Sequence, residues 1–314
     1  MAKSVKKTKK STKKSVVTSE IVPFPGYFEF TKQVYVLLKQ SKKHFLRLVG
    51  LLAAVVFVLT VSSQQAVYIE QAIGVQSVSS EVAAGLLAKL LETGVLFATL
   101  VSGTLTANLS ESQQFVLSLV YLLTWLVVVW LVRHILSDKS VSLRDGLYNA
   151  GAPIVSTMLI ILVAAAQLIP LAILVALVSV IAATGAVNGV LIAVGVALVL
   201  AMTVATLYWL VGTLFAAVIV TIPGTYPVAA LRSARAVVAG NRAKILRRLL
   251  WLALVNVTAY LVVIIPILFV DTLTGYALSW VTVTVSITLG LSLFVYSSTY
   301  LYLLYRRIID EHTD

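Results

Sequence analysis

The residues best equipped for chemistry lie between Ala230 and Leu250, in the stretch ALRSARAVVAGNRAKILRRLL. Arg232 and Arg235 precede a Gly240-Asn241 break, and Arg242, Lys244, Arg247 and Arg248 follow it. Cations packed this closely suit three tasks: gripping a nucleic-acid backbone, holding phosphate in a catalytic site, or meeting anionic lipid headgroups. A catalytic phosphate site needs acids or histidines beside its cations to bind a metal or move a proton. No Asp, Glu or His stands between Gly224 and Leu250, so catalysis is not expected there. A nucleic-acid surface would interleave stacking aromatics with its cations, and Ala230–Leu250 contains none. Anionic lipid is the reading that remains.

No other catalytic set is visible. His44, His134 and His312 are scattered, and the chain has no cysteine, which removes disulfides, zinc ribbons and thiol chemistry. HExxH, GxSxG and the Walker glycine-rich loop are all missing. Neither a catalytic residue, a metal site nor a cofactor is expected.

The elements that must position these cations follow from composition. Of 314 residues, 60% are hydrophobic and 11% charged, with a mean hydropathy of +1.01; a soluble domain carries about 25% charged residues. The fold class expected is all-α, a polytopic transmembrane helix bundle with amphipathic interfacial helices. The net charge of +12 then reflects the collection of Lys and Arg on the cytoplasmic side of a membrane.

Residues 1–20, rich in Lys, Ser and Thr, are expected to be a disordered cytoplasmic tail with almost nothing to bury. No apolar run or cleavage site adjoins the tail, so it is expected to be retained. Attraction to anionic headgroups explains its lysines more simply than nucleic acid does. Residues 21–45 set Phe30, Val34, Leu37, Leu38 and Phe45 against Lys32, Lys39, Lys42 and Lys43. That pattern predicts an amphipathic helix at the membrane interface.

Six spans are expected, at about 46–67, 113–136, 153–178, 190–222, 249–270 and 277–305, in line with the ~20 residues needed to cross a bilayer core. Charge parity sets the count. With two spans in the uncharged tract 146–231, all of the 24 Lys and Arg except Lys89 fall on one side. A third span in that tract would move segment 224–248 to the wrong face. Both termini, including residues 306–314, are therefore expected in the cytoplasm, with the bacterial inner membrane as location. The same reasoning makes residues 80–107 an external amphipathic segment, with Leu86, Leu87, Leu90 and Leu91 opposite Glu81, Lys89 and Glu92. Residues 93–110 within and beyond it are interfacial, re-entrant or buried.

Glu70 and Asp271 fall at outer ends of spans, and Arg133 and His134 at an inner end, where boundary residues ordinarily sit; a gating role is the alternative. Gln167, Asn188 and Asn256 are expected to bond across helices, at about 0.6 kcal/mol each, or else to line a transport cavity. Pro170 is a place where the third span could break, as in transporters, although no second break matches it. Gly185, Gly189 and Gly195 favour close helix packing.

Within 224–248, Pro227 suits a first helical turn, and Val228, Leu231, Ala234 and Val238 make an apolar face. Arg232, Arg235 and Arg242 fall near one stripe. Gly240 suits a C-cap and Asn241 an N-cap for the next helix. Lys39, Lys42, Lys43, Arg47, Arg232, Arg235, Arg242, Lys244, Arg247 and Arg248 are expected to snorkel to lipid phosphates.

The segment TIPGTYPVAALRSARAVVAGNRAKIL, with Pro223, Ala230-Leu231-Arg232-Ser233, Val237 and Gly240, resembles a recurrent segment of the YciC-like bacterial membrane proteins. A related segment occurs in the membrane domain of some glycerophosphodiester phosphodiesterases. Leu37–Val55 is similar to that family's entry into its first span. The resemblance covers about thirty residues plus topology and implies six helices but no defined activity. The phosphodiesterase barrel has no room in this chain. The expected role is thus non-enzymatic: anionic lipid at a basic cytoplasmic face, in envelope organisation or alongside a second copy or another membrane protein. A permease-like transporter or export subunit is the alternative.

Overall fold

The structure is a computed structural model that describes residues 25–62, 111–137, 142–183, 189–274 and 279–313. These residues form helices joined by turns, with no strand among them. In chain order the helices are α1 (Tyr27–Gln40), α2 (Lys42–Ser62), α3 (Glu111–Ile135), α4 (Leu143–Ala150), α5 (Ile154–Ala183), α6 (Gly189–Ile219), α7 (Pro227–Val238), α8 (Arg242–Leu273) and α9 (Ser279–Thr313). Five of them contain stretches long and apolar enough to cross a membrane: Gln114–Ile135, Ile154–Ile181, Gly189–Ile219, Arg242–Leu273 and Thr284–Glu311. This is a membrane protein. Helices are the form such apolar runs must take, because hydrocarbon offers no partner for an unpaired backbone group.

Helix α9 is the central strut. It packs against α1, α2, α3, α6, α7 and α8, and Leu291, Val295, Tyr300, Leu304 and Ile308 are buried along it. Helix α8 lays one stripe against it: Ile245, Arg248, Leu252, Asn256, Tyr260, Ile264, Leu268 and Asp271 are all buried, at the spacing of a single helical face. Asp271 is thus enclosed rather than placed at an open boundary.

Helices α5 and α6 form a hairpin that meets the rest of the bundle mainly through one half of α6, where the buried residues run from Thr206 to Ile219. Gly195 lets the pair approach closely; a Cβ there would stand 3.1 Å from Cγ1 of Val178. No such approach occurs at Gly189, and Gly185 lies outside the described residues. Replacing Gly195 with leucine is expected to destabilise the hairpin by about 1–3 kcal/mol, because Val178 is stiff at χ1. Gly212, open to 4 Å around its would-be Cβ, is the control, and Gly212→Ala should be neutral or stabilising. Unfolding in mixed micelles measures both; equal losses would refute the close contact.

Several boundaries differ from expectation for local reasons. The amphipathic helix ends at Gln40, and α2 starts at Lys42 after a turn at Ser41. The second helix therefore includes Lys42, Lys43 and Phe45. Helix α5 runs through Pro170 without interruption. Residues 306–313 are helical and continue α9. The loop after α3 contains α4, capped by Ser142, whose hydroxyl accepts from the N–H of Asp145 at 3.1 Å and donates to its carboxylate at 2.6 Å. Helix α7 buries Ala234 and Val238 of the face expected and packs Leu231 against the core, but it leaves Val228 exposed and buries Ala230 instead. Pro227 opens α7, and Gly240 takes φ +82 just past its end. Asn241 occupies the N-cap position of α8 but makes no side-chain capping bond. The tail 1–20 and segment 80–107 lie outside the described residues, and the first expected span, 46–67, is described as far as Ser62.

Candidate functional site

The expected headgroup contacts divide into two sets. Lys39, Lys42, Lys43, Arg47, Arg232, Arg235 and Arg247 are exposed. Lys39 closes α1, and Lys42, Lys43 and Arg47 open α2. Arg232 and Arg235 lie on the outer side of α7, and Arg247 in the second turn of α8. The other three cations are engaged by the protein. The Arg242 guanidinium sits 4.8 Å above the Tyr208 ring, so it leaves the stripe expected with Arg232 and Arg235. The ammonium of Lys244 donates to the Glu311 carboxylate at 2.7 Å.

Arg248 departs furthest from expectation. It is only 6% exposed, and its Nη2 donates to the Pro25 carbonyl at 2.6 Å. The guanidinium also lies over two rings, Tyr27 at 5.0 Å and Phe30 at 5.4 Å. Phe30 meets Tyr300 edge-on at 4.8 Å, and the Tyr300 hydroxyl donates to the Arg248 carbonyl at 3.4 Å. Close by, the Trp251 indole donates to Thr31 Oγ1 at 3.1 Å. Arg248 is therefore no lipid contact; it clamps α1 onto α8 and α9.

The polar residues expected inside the membrane do not converge. Gln167 accepts from the Thr213 hydroxyl at 2.8 Å, between α5 and α6. The Asn256 amide donates to the Ser297 hydroxyl at 2.9 Å, between α8 and α9. Each ties a different helix pair. Asn188 lies outside the described residues.

A cleft of about 530 Å³ opens where α3 ends, α5 begins and the α6–α7 turn passes. Arg133 forms its wall and its brace, donating from Nη1 to the Thr221 carbonyl at 3.1 Å and from Nη2 to the Thr221 hydroxyl at 2.7 Å. The His134 ring stacks on Trp130 at 3.9 Å, with Nδ1 2.9 Å from the Trp130 carbonyl. Nδ1 is therefore the donor nitrogen, assigned from the bond it makes. Trp130 also supports α4, where a Cβ at Gly146 would stand 3.3 Å from its indole. Asn149, Ser156 and Thr225 complete the polar lining, and no Asp or Glu contributes to it. Sequence reasoning took Arg133 and His134 for boundary residues and missed the cleft. The Ser142-x-x-Asp145 capping signal was the available clue that α4 would fold back over them.

Among the described residues no three of His, Cys, Asp and Glu stand together as metal ligands. No family, characterised protein or solved structure matches this chain.

Proposed function

We propose that this chain is a six-span membrane protein, of the YciC-like type, whose basic face binds anionic phospholipid headgroups. The observation that carries this reading is the set of seven exposed cations, Lys39, Lys42, Lys43, Arg47, Arg232, Arg235 and Arg247. Lys42, Lys43, Arg47 and Arg247 lie in the first turns of the long helices α2 and α8, the other three on the short amphipathic helices α1 and α7, and among the described residues none of the seven makes an ion pair. Each basic side chain near an anionic membrane surface contributes about 1 kcal/mol. The sixth span is the one expected over 46–67, of which α2 describes the apolar part as far as Ser62. Placing the basic face in the cytoplasm of a bacterium agrees with the distribution of Lys and Arg, and both termini then lie there. The role is non-catalytic: organising lipid or holding a membrane partner at that face. Gln167 and Asn256 spend themselves on different helix pairs, which favours this reading over a permease.

Nanodiscs of phosphatidylcholine and phosphatidylglycerol test the proposal, with the lipid retained by the purified protein measured by mass spectrometry. Wild type should enrich phosphatidylglycerol, and less so at high salt, because the attraction decays over a Debye length of about 10 Å at 0.1 M. Changing Lys42, Lys43, Arg232, Arg235 and Arg247 to glutamine should abolish most of the enrichment. Undiminished, salt-independent enrichment in that variant would refute lipid binding by this face.

A further inference from the structure

We propose that the cleft between α3, α5 and the α6–α7 turn is a discrete binding site for a phosphate-bearing anion. It stands apart from the exposed basic face, since none of the seven exposed cations lines it.

The chemistry of the lining selects the class of ligand. A guanidinium supplied by Arg133 has no carboxylate among the lining residues to neutralise it. Its bonds to Thr221 use one edge of the fork and fix its plane, leaving its other N–H donors for a ligand. A guanidinium already held in place loses little further freedom when it grips a phosphate. Around it stand side chains that can donate to phosphate oxygens: the Asn149 amide and the hydroxyls of Ser156 and Thr225. Ser156 lies in the first turn of α5, whose leading N–H groups have no acceptor within the helix. A cation would find only weak acceptors here and a guanidinium to repel it. A neutral apolar ligand would leave these donors unanswered.

Size and shape agree. At about 530 Å³ the cleft lies within the range of about 300–1,000 Å³ usual for small-ligand sites, roomy for a glycerophosphate-sized group. The Trp130 ring, stacked with His134, gives that group's carbon portion an apolar wall. The shared ligand chemistry is a phosphate ester, carried either by a membrane lipid headgroup or by a soluble metabolite.

Two variants test the site in the full-length chain purified in a maltoside detergent. Arg133→Gln removes the charge. Ser156→Phe fills the cleft while leaving the Arg133–Thr221 brace intact, and guards against simple misfolding of the first variant. Calorimetric titration with glycerol 3-phosphate is one arm. Retention of phosphatidylglycerol over phosphatidylcholine, measured by mass spectrometry, is the other. If the ester is soluble, glycerol 3-phosphate binds wild type, and both variants bind about tenfold more weakly or worse, as loss of a charge-assisted contact implies. If a lipid headgroup is the source, glycerol 3-phosphate binds nowhere, while both variants lose part of the phosphatidylglycerol that an Arg306→Gln control, an exposed cation in neither set, retains. Ser156→Phe matching wild type in both arms would overturn the proposal.

Discussion

Replacing Arg248 with alanine is expected to free α1 from the bundle and cost on the order of 3 kcal/mol. The figure combines a charge-assisted bond to a buried carbonyl, about 1.5–3 kcal/mol, with a desolvated cation–π contact of up to about 2 kcal/mol. Both are present at this side chain, which bonds the Pro25 carbonyl at 2.6 Å and lies over the Tyr27 and Phe30 rings. Truncation also strands the Pro25 carbonyl, since Pro25 is itself buried. Arg248→Lys keeps the charge but loses the planar fork that bonds and stacks at once, so it should recover only a small part of the loss. Arg247→Ala, the exposed neighbour, should stay within about 0.5 kcal/mol of wild type. Unfolding in mixed micelles gives the energies. Trypsin gives the mechanism: Lys32 and Lys39 lie on α1 and should be cut much faster in Arg248→Ala than in Arg247→Ala or wild type. Wild-type cleavage rates in that variant would show that α1 is held by other contacts.

Adjacent arginines with opposite fates show where sequence stopped being informative. Composition depends on counts, and it anticipated a helical membrane protein. Arg247 and Arg248 are alike in any count. What separates them is register: Arg248 falls on the stripe continued by Leu252, Asn256, Tyr260, Ile264 and Leu268, whereas Arg247 lies about 100° away around the helix. The four-residue spacing was visible in the sequence. The apolar character of every other face of α8 hid it, because lipid-facing and protein-facing surfaces are equally hydrophobic in a membrane. The same blindness put Val228 on the expected inner face of α7 in place of Ala230, which is buried beside Ala234 and Val238 of that face. The cleft was illegible for another reason. Its walls come from residues near 133, 156 and 221, and only the tertiary fold brings these together.

Phe215 offers a direct measure of how much packing holds such a bundle when lipid is as apolar as the interior. It is 0% exposed and meets Tyr305 at 5.9 Å, in the half of α6 through which the α5–α6 hairpin joins the bundle. Phe→Ala in a water-soluble core costs about 3–5 kcal/mol, part for transfer and part for the cavity left behind. In a membrane the transfer part shrinks, because an undocked helix keeps its phenyl ring in hydrocarbon. The cavity and its lost dispersion contacts remain. Phe215→Ala should therefore cost about 2–3 kcal/mol. Phe269→Ala, at 56% exposure on α8, creates no cavity and should cost close to nothing. Similar losses at both positions in a mixed-micelle unfolding series would mean that α6 is not seated on α9 as described. The loss at Phe215 should also reach the cleft. Thr221, which braces Arg133, lies six residues further along the chain, in the turn that leaves α6. A hairpin loosened at Phe215 loses the geometry of that brace, so the phosphate affinity proposed for the cleft should fall in Phe215→Ala and remain intact in Phe269→Ala.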